Sequence, residues 1–382
     1  SLNSTSVMAT VTKRALESFR ASKVPARSIW ERMTPPKMVP RSFVSRGRRT
    51  TRTAGFLLSI PGSYQLFTPD LNGLIYNTQM IRSGIVAHGG VGSSSEWNDG
   101  CERAAKEGFS ILSSGGTSLD AVQAAAIILE NDGRFNAGSG SILRLDGKTM
   151  EMDASIMDSE GKMGAVAALQ AVRNPIRVAR EVMNTPHILF AGEGANRFAQ
   201  QRGVAEPHPG ANEEAVRRFQ KLRTLLGENR HEELRASWKN FDLRSHWNFD
   251  VAYDEMFGHG DTIGAVAIDR NGVLAVANST GGASPMLAGR VGDTPLPGCG
   301  FYAGSAAAVA ATGIGEEIIR RMISIRVYDD IDRGNSVEKS CRDAIEGFPK
   351  EYSLGVVSIS REGVGAEHNR DMAWAKCVEE EK

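Results

Sequence analysis

The sequence lacks the features of a membrane-spanning or disulfide-stabilised chain. No apolar run approaches the roughly 18 to 20 residues that a membrane-spanning helix requires. Only four cysteines occur among 382 residues, and none belongs to a CxxC pair. This spacing argues against both a zinc site and a disulfide framework. We therefore expect a soluble protein in a reducing, cytoplasmic compartment, with no membrane partner.

The chain also has no net charge, with 45 basic and 45 acidic residues, but these are unevenly distributed. Residues 1–56 contain 12 Lys or Arg and two Asp or Glu, so the remainder is acidic. We expect residues 1–84 to form a poorly ordered basic extension. Three interpretations are open: native translation begins at Met80, the segment is an organelle-import leader, or it is a basic arm for nucleic acid. The first is preferred, and no nucleic-acid partner is expected.

Regular patterning begins at Ile85 and predicts the α+β class. Strand pairs with turn signals, such as Arg270-Asn271-Gly272, alternate with helix pairs in both halves of the chain. Thr117 is expected to cap a helix, and the Ala-rich stretch from Ser305 to about Arg326 is expected to be helical. The pattern predicts an αββα sandwich, with two stacked, mainly antiparallel sheets between helices. Residues 85–261 and 262–382 would be two parts of this single domain.

The stretch "GHGDTIGAV" places a threonine between a glycine-rich segment and an apolar strand. A threonine hydroxyl is a weak nucleophile, but an N-terminal threonine carries its own base, because an α-amino group has a pKa near 8. Exposing that amine requires cleavage of the Asp261–Thr262 bond. Gly258 and Gly260 permit the backbone distortion that self-attack needs. Taken alone, the stretch is better explained as the ordinary start of a strand after a flexible loop.

Further motifs indicate a family. The segments "IVAHGGVG", "FNAGSGS", "MEMDASIMD", "GDTIGAVA", "NSTGG", "GRVGDTPLPG" and "ATGIGE" lie between Ile85 and Ala375. Together they resemble the plant-type asparaginase and isoaspartyl peptidase family of N-terminal nucleophile (Ntn) hydrolases. This resemblance implies the Ntn-hydrolase sandwich. It also implies hydrolysis of L-asparagine or of β-aspartyl dipeptides through a threonine acyl-enzyme.

The resemblance assigns four residues to the nucleophile and its activation. Thr262 corresponds to the nucleophile, which autocleavage after Asp261 would expose. Thr280, in "STGG", corresponds to the threonine whose hydroxyl orients the first. Asn136, in "RFNAGSG", corresponds to a residue near the nucleophile that assists processing.

Five further positions correspond to substrate-binding and oxyanion residues. Arg290 matches the clamp for the substrate α-carboxylate, and Asp293 matches the partner of its α-ammonium; both residue types suit those charges. Without the family match, a salt bridge between these two residues would be the simpler interpretation. The Thr312 hydroxyl and the Gly313 amide match the oxyanion hole. Gly315 is expected to line the same pocket.

The resemblance also implies a structural sodium ion, held by main-chain carbonyls, and no other cofactor. The corresponding residues are Leu129, Glu130, Asp132, Phe135, Ala137 and Ser139. The expected partners are a small-molecule substrate and a second αβ unit, forming a homodimer.

Three alternative functions remain open. Asp261 before the threonine is typical of the glycosylasparaginase branch, which removes asparagine from N-linked sugars. A family member that never cleaves could act as a binding protein. A nucleotide-binding protein is disfavoured, because the glycine clusters lack a GxxxxGK[ST] loop and the third glycine of a dinucleotide fingerprint.

Overall fold

The computed structural model describes residues 80–227, 238, 241–249 and 262–381. Within them the strands are β1 Ile81–Val91, β2 Met152–Asp158, β3 Met163–Leu169, β4 Leu189–Ala191, β5 Thr262–Ile268, β6 Leu274–Thr280, β7 Phe301–Ala303, β8 Ala308–Gly313, β9 Leu354–Ile359, β10 Val364–His368 and β11 Met372–Glu380. The α-helices are α1 Asn98–Ser113, α2 Ser118–Asp132, α3 Pro175–Val182, α4 Gly192–Gln201, α5 Glu213–Gly227, α6 Gly315–Arg321, α7 Ile323–Asp332 and α8 Val337–Glu346.

The strands form two sheets that are flanked by helices, so the fold is an α+β sandwich. The larger sheet has the order β11-β1-β5-β6-β2-β3-β4, and the smaller has β10-β9-β8-β7. One apolar core, which includes Val86, Val266 and Val357, lies between the sheets. Separate cores join α1–α4 to the larger sheet and α7–α8 to the smaller one. Both faces of the central strands are therefore buried, which explains why they are apolar with little alternation.

The register of the larger sheet places three polar residues in one row. In the antiparallel pair β5–β6, Thr262 lies opposite Thr280, and in the pair β2–β6, Asp153 also lies opposite Thr280. Directly opposite residues of antiparallel strands project from the same side of the sheet. The first residue of β5 thus has a threonine beside it and an aspartate one strand further on.

Local signals for caps and turns are confirmed. The Thr117 side chain accepts a hydrogen bond from the Asp120 amide and caps α2. The Arg270-Asn271-Gly272 turn joins the paired strands β5 and β6. These features depend on residues close in sequence, so the pattern alone was sufficient to predict them.

One helix prediction is wrong over half its length. The Ala-rich stretch from Ser305 begins with strand β8, whose residues pair with β7 and β9, and helix begins only at Gly315. Alanine favours helix intrinsically. Here Ala308, Ala310 and Ala311 are fully buried in the sheet, and these contacts override the local preference.

Some predicted features lie outside the described residues. They are the basic extension up to residue 79, the cleavage-site residue Asp261 with its preceding glycines, and much of the connection before it. Among the residues described, no helix combines the length and apolar character needed to cross a membrane.

Candidate active site

The predicted nucleophile and its supporting threonine are in contact. The Thr262 hydroxyl donates to the Thr280 hydroxyl over 3.1 Å, and both residues are buried. The Thr280 oxygen also accepts from the Gly282 amide at 3.0 Å. The position of the Thr280 hydroxyl is thus fixed by the turn that follows β6. Thr262 itself is held as the first residue of a central strand, which is a rigid support for a reacting group.

The end of β1 joins this pair to the predicted oxyanion residues. At Gly90, where φ is 93°, an added Cβ would lie 2.0 Å from the Thr262 carbonyl oxygen, so only glycine fits. The next residue, Val91, donates its amide to the Thr312 hydroxyl at 3.2 Å. Because that hydroxyl acts as acceptor, its own hydrogen can still be donated to an oxyanion. Thr312 and Gly313 end β8, rather than beginning a helix.

Arg290 pairs with a residue that the sequence did not suggest. Its Nε donates to Glu316 Oε1 at 3.0 Å, while its Nη2 lies 2.9 Å from the same oxygen without the alignment of a hydrogen bond. The simple salt bridge between Arg290 and Asp293 is therefore not the arrangement found. The glutamate is at the surface, with 47% of its side chain exposed, against 17% for the arginine.

Asp293 is buried, and its Oδ2 has no hydrogen-bond partner within the described part of the chain. Burial raises the pKa of this carboxyl to about 7, although the nearby charge of Arg290 opposes the shift. An unpartnered buried carboxylate oxygen is unfavourable unless a ligand satisfies it. A substrate ammonium could donate a hydrogen bond to this oxygen and supply a positive charge to pair with the carboxylate.

Gly315 lies between the side chains of Arg290 and Asp293, the two residues predicted to bind substrate. A Cβ at this position would lie 2.8 Å from Arg290 Nη2 and 2.9 Å from Asp293 Oδ1. Both side chains therefore converge on the Gly315 Cα and approach it too closely for a larger residue to fit there. An amino acid's carboxylate and ammonium share one carbon atom, so this convergence suits that pair of groups.

Asn136 is placed to shape the turn beside Thr280. Its Nδ2 donates to the Gly282 carbonyl at 2.7 Å, and its backbone carbonyl accepts from the Gly281 amide at 2.9 Å. Its Oδ1 in turn accepts from the Ile142 amide at 3.0 Å. These bonds connect Asn136 to Thr280 through the glycine turn.

The predicted sodium-binding stretch comprises the last turn of α2 and the loop after it. Helix α2 ends at Asp132, and the last carbonyls of a helix carry the negative end of its dipole. The Gly133 and Ser139 carbonyls lie close enough together to accept from the same amide nitrogen, Asn212 Nδ2. An amide donor therefore occupies the point where these two carbonyls converge. The residues that the structure describes contain no cluster of three or more His, Cys, Asp or Glu for another metal.

Three buried residues that sequence reasoning passed over lie beneath the site: Arg144, Glu151 and Asp153. Arg144 donates through Nε to Glu151 Oε2 at 3.0 Å, and the carboxylates reach the loop that carries Arg290. Glu151 and Asp153 fall within the motif "MEMDASIMD", so the sequence marked the segment without indicating what its acids contact.

A cavity of about 500 Å³ lies against Arg290 and Glu316. Its other walls include the aromatic side chains of Trp238, Phe241 and Tyr352. This volume is typical of small-molecule sites. Thr262, Thr312 and Asp293 are not part of its lining, so this cavity reaches the candidate site only at Arg290.

Comparison with known proteins shows the family of the chain. A family model described as asparaginase matches residues 81–382. A "Plant-type L-asparaginase" from Pyrobaculum calidifontis is 37% identical over 293 residues, covering 73% of this chain and 91% of that protein. An "Isoaspartyl peptidase/L-asparaginase" from Mus musculus is 35% identical over 304 residues, covering 76% and 86%. One of the same name from Homo sapiens is 38% identical over 286 residues, covering 73% and 85%. The chain therefore belongs to the asparaginase family.

Proposed function

We propose that this protein is an autoprocessing amidohydrolase of the Ntn class. Its substrates would be L-asparagine, which yields L-aspartate and ammonia, and β-aspartyl dipeptides. The observation that carries the proposal is the contact between Thr262 and Thr280 at the start of β5. Support comes from Arg290 and Asp293, which converge at Gly315, and from the names of the relatives. The sandwich would accordingly be the αββα Ntn-hydrolase fold.

Processing would begin with attack of the Thr262 hydroxyl on the Asp261 carbonyl carbon. The C–N bond breaks as nitrogen leaves and takes up the proton lost by the hydroxyl, which gives a free α-amine and an ester between Asp261 and the Thr262 oxygen. Water then hydrolyses this ester, so the α part ends in a carboxylate and the β part begins with a free threonine. The burial of both threonines supports a reaction within the protein that needs no external protease.

Turnover would use the same hydroxyl on the substrate side-chain amide. The α-amine takes the hydroxyl proton, oxygen attacks the carbonyl, and the Thr312 hydroxyl with the Gly313 amide stabilises the oxyanion. Ammonia, or the amine of the second amino acid, leaves with a proton. Water then releases L-aspartate from the acyl-enzyme. Both substrates share the α-groups that Arg290 and Asp293 recognise, and they differ only in the leaving group.

A direct assay tests the substrate assignment. We expect the cleaved protein to release L-aspartate from L-asparagine and from a β-aspartyl dipeptide. It should act on N-acetylglucosaminyl-asparagine at least about tenfold less efficiently. This factor corresponds to a difference of about 1.4 kcal/mol in the free energy of activation. Aspartate release by each substrate at equal concentration is the measurement. Preferential release from the sugar conjugate would favour the glycosylasparaginase alternative. Absence of cleavage and of turnover would favour a binding role.

The pH dependence follows from two groups. Asp293, whose pKa burial raises to about 7, must be ionised to bind the ammonium. The new α-amine, with a pKa near 8, must be unprotonated to act as base. We expect kcat/KM for L-asparagine to fall as pH decreases below about 8, where the amine becomes protonated, and to approach a slope of two in log units below about 7, where Asp293 is also protonated. A profile that stayed flat from pH 7 to 5 would contradict both assignments.

The raised pKa of Asp293 also makes the free energy of unfolding depend on pH. Because folding raises the pKa above its unfolded value near 3.9, ionisation of this carboxyl opposes folding as pH rises. The destabilisation caused by ionising Asp293 is absent well below pH 4 and reaches its full value above about pH 7. Asp293→Asn should therefore raise the melting temperature at pH 8 more than at pH 4, measured by thermal unfolding, while it weakens substrate binding.

Three further parts of the proposal rest mainly on the family resemblance. Carbonyls of the 129–139 stretch would hold a sodium ion that stiffens the loop containing Asn136. The αβ units would pair as a homodimer. The compartment would be cytoplasmic, which the four unpaired cysteines favour.

A further inference from the structure

A buried ionic cluster underlies the loop that carries Arg290 and Asp293. It consists of Arg144, Glu151 and Asp153, which are 1%, 6% and 1% exposed. Charges are removed from water at a large cost unless they are paired and hydrogen-bonded, and such a cluster often adds little to stability. None of the three takes part in the chemistry described above. Their contacts therefore indicate what else they do.

The two carboxylates hold the loop on either side of Arg290. Glu151 Oε2 accepts from the Gly289 amide at 2.8 Å, and Asp153 Oδ2 accepts from the Gly292 amide at 3.3 Å. A Cβ at Gly292 would lie 2.8 Å from Arg290 Nη1, so the tethered backbone also supports the guanidinium. The segment that recognises substrate is thus fixed at both ends by buried acceptors.

The same cluster is tied to the nucleophile. Asp153 lies opposite Thr280, which lies opposite Thr262 in the sheet. Arg144 donates through Nε to Glu151 and through Nη1 to the Gly281 carbonyl, at 3.0 and 2.9 Å. Gly281 directly follows Thr280. One network therefore connects the strands that hold the nucleophile with the loop that holds the substrate.

We propose that Arg144, Glu151 and Asp153 are positioning residues, which fix Arg290 and Asp293 at a set distance from the Thr262 hydroxyl. The inference rests on the proposed function. A loop without such anchors samples many positions, and a small displacement of the binding groups weakens their hold on the substrate. Binding by Arg290 and Asp293 contributes to the ground state and the transition state alike. A displacement of Arg290 and Asp293 should therefore raise KM more than it lowers kcat.

The cluster should have no comparable influence on autocleavage. The peptide bond at residues 261 and 262 belongs to the chain itself, with no free α-carboxylate or α-ammonium for the loop to hold. Cleavage is therefore an internal control for the integrity of Thr262 and Thr280 in each variant. A variant that is misfolded around the nucleophile would cleave poorly, whereas a variant with a loosened substrate loop would cleave normally.

The test uses two near-isosteric variants of the full chain, Glu151→Gln and Asp153→Asn. An amide in place of Asp153 offers one acceptor for the two amides of Ala168 and Gly292, so one of them loses its bond. Glu151→Gln retains an acceptor but removes the charge that faces Arg144.

The matched control is Asp269→Asn. Asp269 is also buried and accepts from the amides of Ser118 and Val273, but it follows the far end of β5.

We expect intact mass to show complete cleavage in both cluster variants. KM for L-asparagine should rise roughly tenfold, which corresponds to about 1.4 kcal/mol. The value of kcat should stay within about twofold of wild type. The control should melt earlier with an unchanged KM. Cluster variants that cleave and keep the wild-type KM would overturn the positioning role while leaving the proposed function intact. Failure of both variants to fold would overturn it as well, since the cluster would then serve the fold. A wild type that neither cleaves nor hydrolyses would remove the proposed function and this inference together.

Discussion

Thr262→Ala is expected to remain a single intact chain and to lose at least about 10⁴-fold in the rate of L-asparagine hydrolysis, the scale of loss seen when an essential nucleophile is removed. The hydroxyl that would attack the Asp261 carbonyl and the substrate amide is the same one, so both activities should vanish together. Intact mass after prolonged incubation, followed by an assay for ammonia, measures the two. The wild type should give two fragments with a boundary between residues 261 and 262.

Two variants control for a general effect of threonine replacement. Thr262→Ser keeps the hydroxyl and the α-amine and should still cleave, though more slowly, because the methyl group that fixes the rotamer is lost. Thr117→Ala removes a helix cap at a cost of about 1 kcal/mol in stability, and it should cleave as wild type does. Cleavage of Thr262→Ala at the same bond would contradict the assignment of the nucleophile.

The sequence was sufficient for features determined by neighbours along the chain. The Thr117 cap and the turn at Arg270-Asn271-Gly272 depend on residues within a few positions. The contact between Thr262 and Thr280 was expected only from the family resemblance, and the observed register of the β5–β6 hairpin accounts for it. In these places local chemistry and the global fold require the same structure.

The remainder depended on contacts between distant segments. The alanines of β8 are strand because β7 and β9 pair with them, and alanine carries no signal of that pairing. Glu316 and Arg290 are 26 residues apart in the chain, and they meet only because α6 packs against the loop. Glu151 and Asp153 were visible as acids in a motif, but the backbone amides they hold are 138 and 139 residues away. A hydrogen bond to a backbone amide leaves no trace in the identity of the donor residue.

Arg290→Met is expected to lower kcat/KM for L-asparagine by about 10² to 10³-fold, because loss of one partner of a buried charged pair costs about 2 to 5 kcal/mol. Autocleavage should proceed at the wild-type rate, since it involves no free carboxylate. The matched control is Arg202→Met, which removes an arginine that pairs with Glu181 and is not part of the lining of the cavity; its kcat/KM should stay near wild type. Arg290→Lys should be intermediate, because lysine is a point charge without the bidentate fork.

Arg290→Met also makes a prediction about Asp293 that distinguishes a binding role from a structural one. The charge of Arg290 partly offsets the effect of burial on the Asp293 pKa. Without it, the pKa of this carboxyl must rise further above 7, so the acid limb of the kcat/KM profile should move to higher pH. A variant that merely perturbed folding would lose activity by the same factor at every pH. An Arg290→Met enzyme with full kcat/KM would show that the α-carboxylate binds elsewhere, and an unshifted acid limb would show that Asp293 does not govern substrate binding.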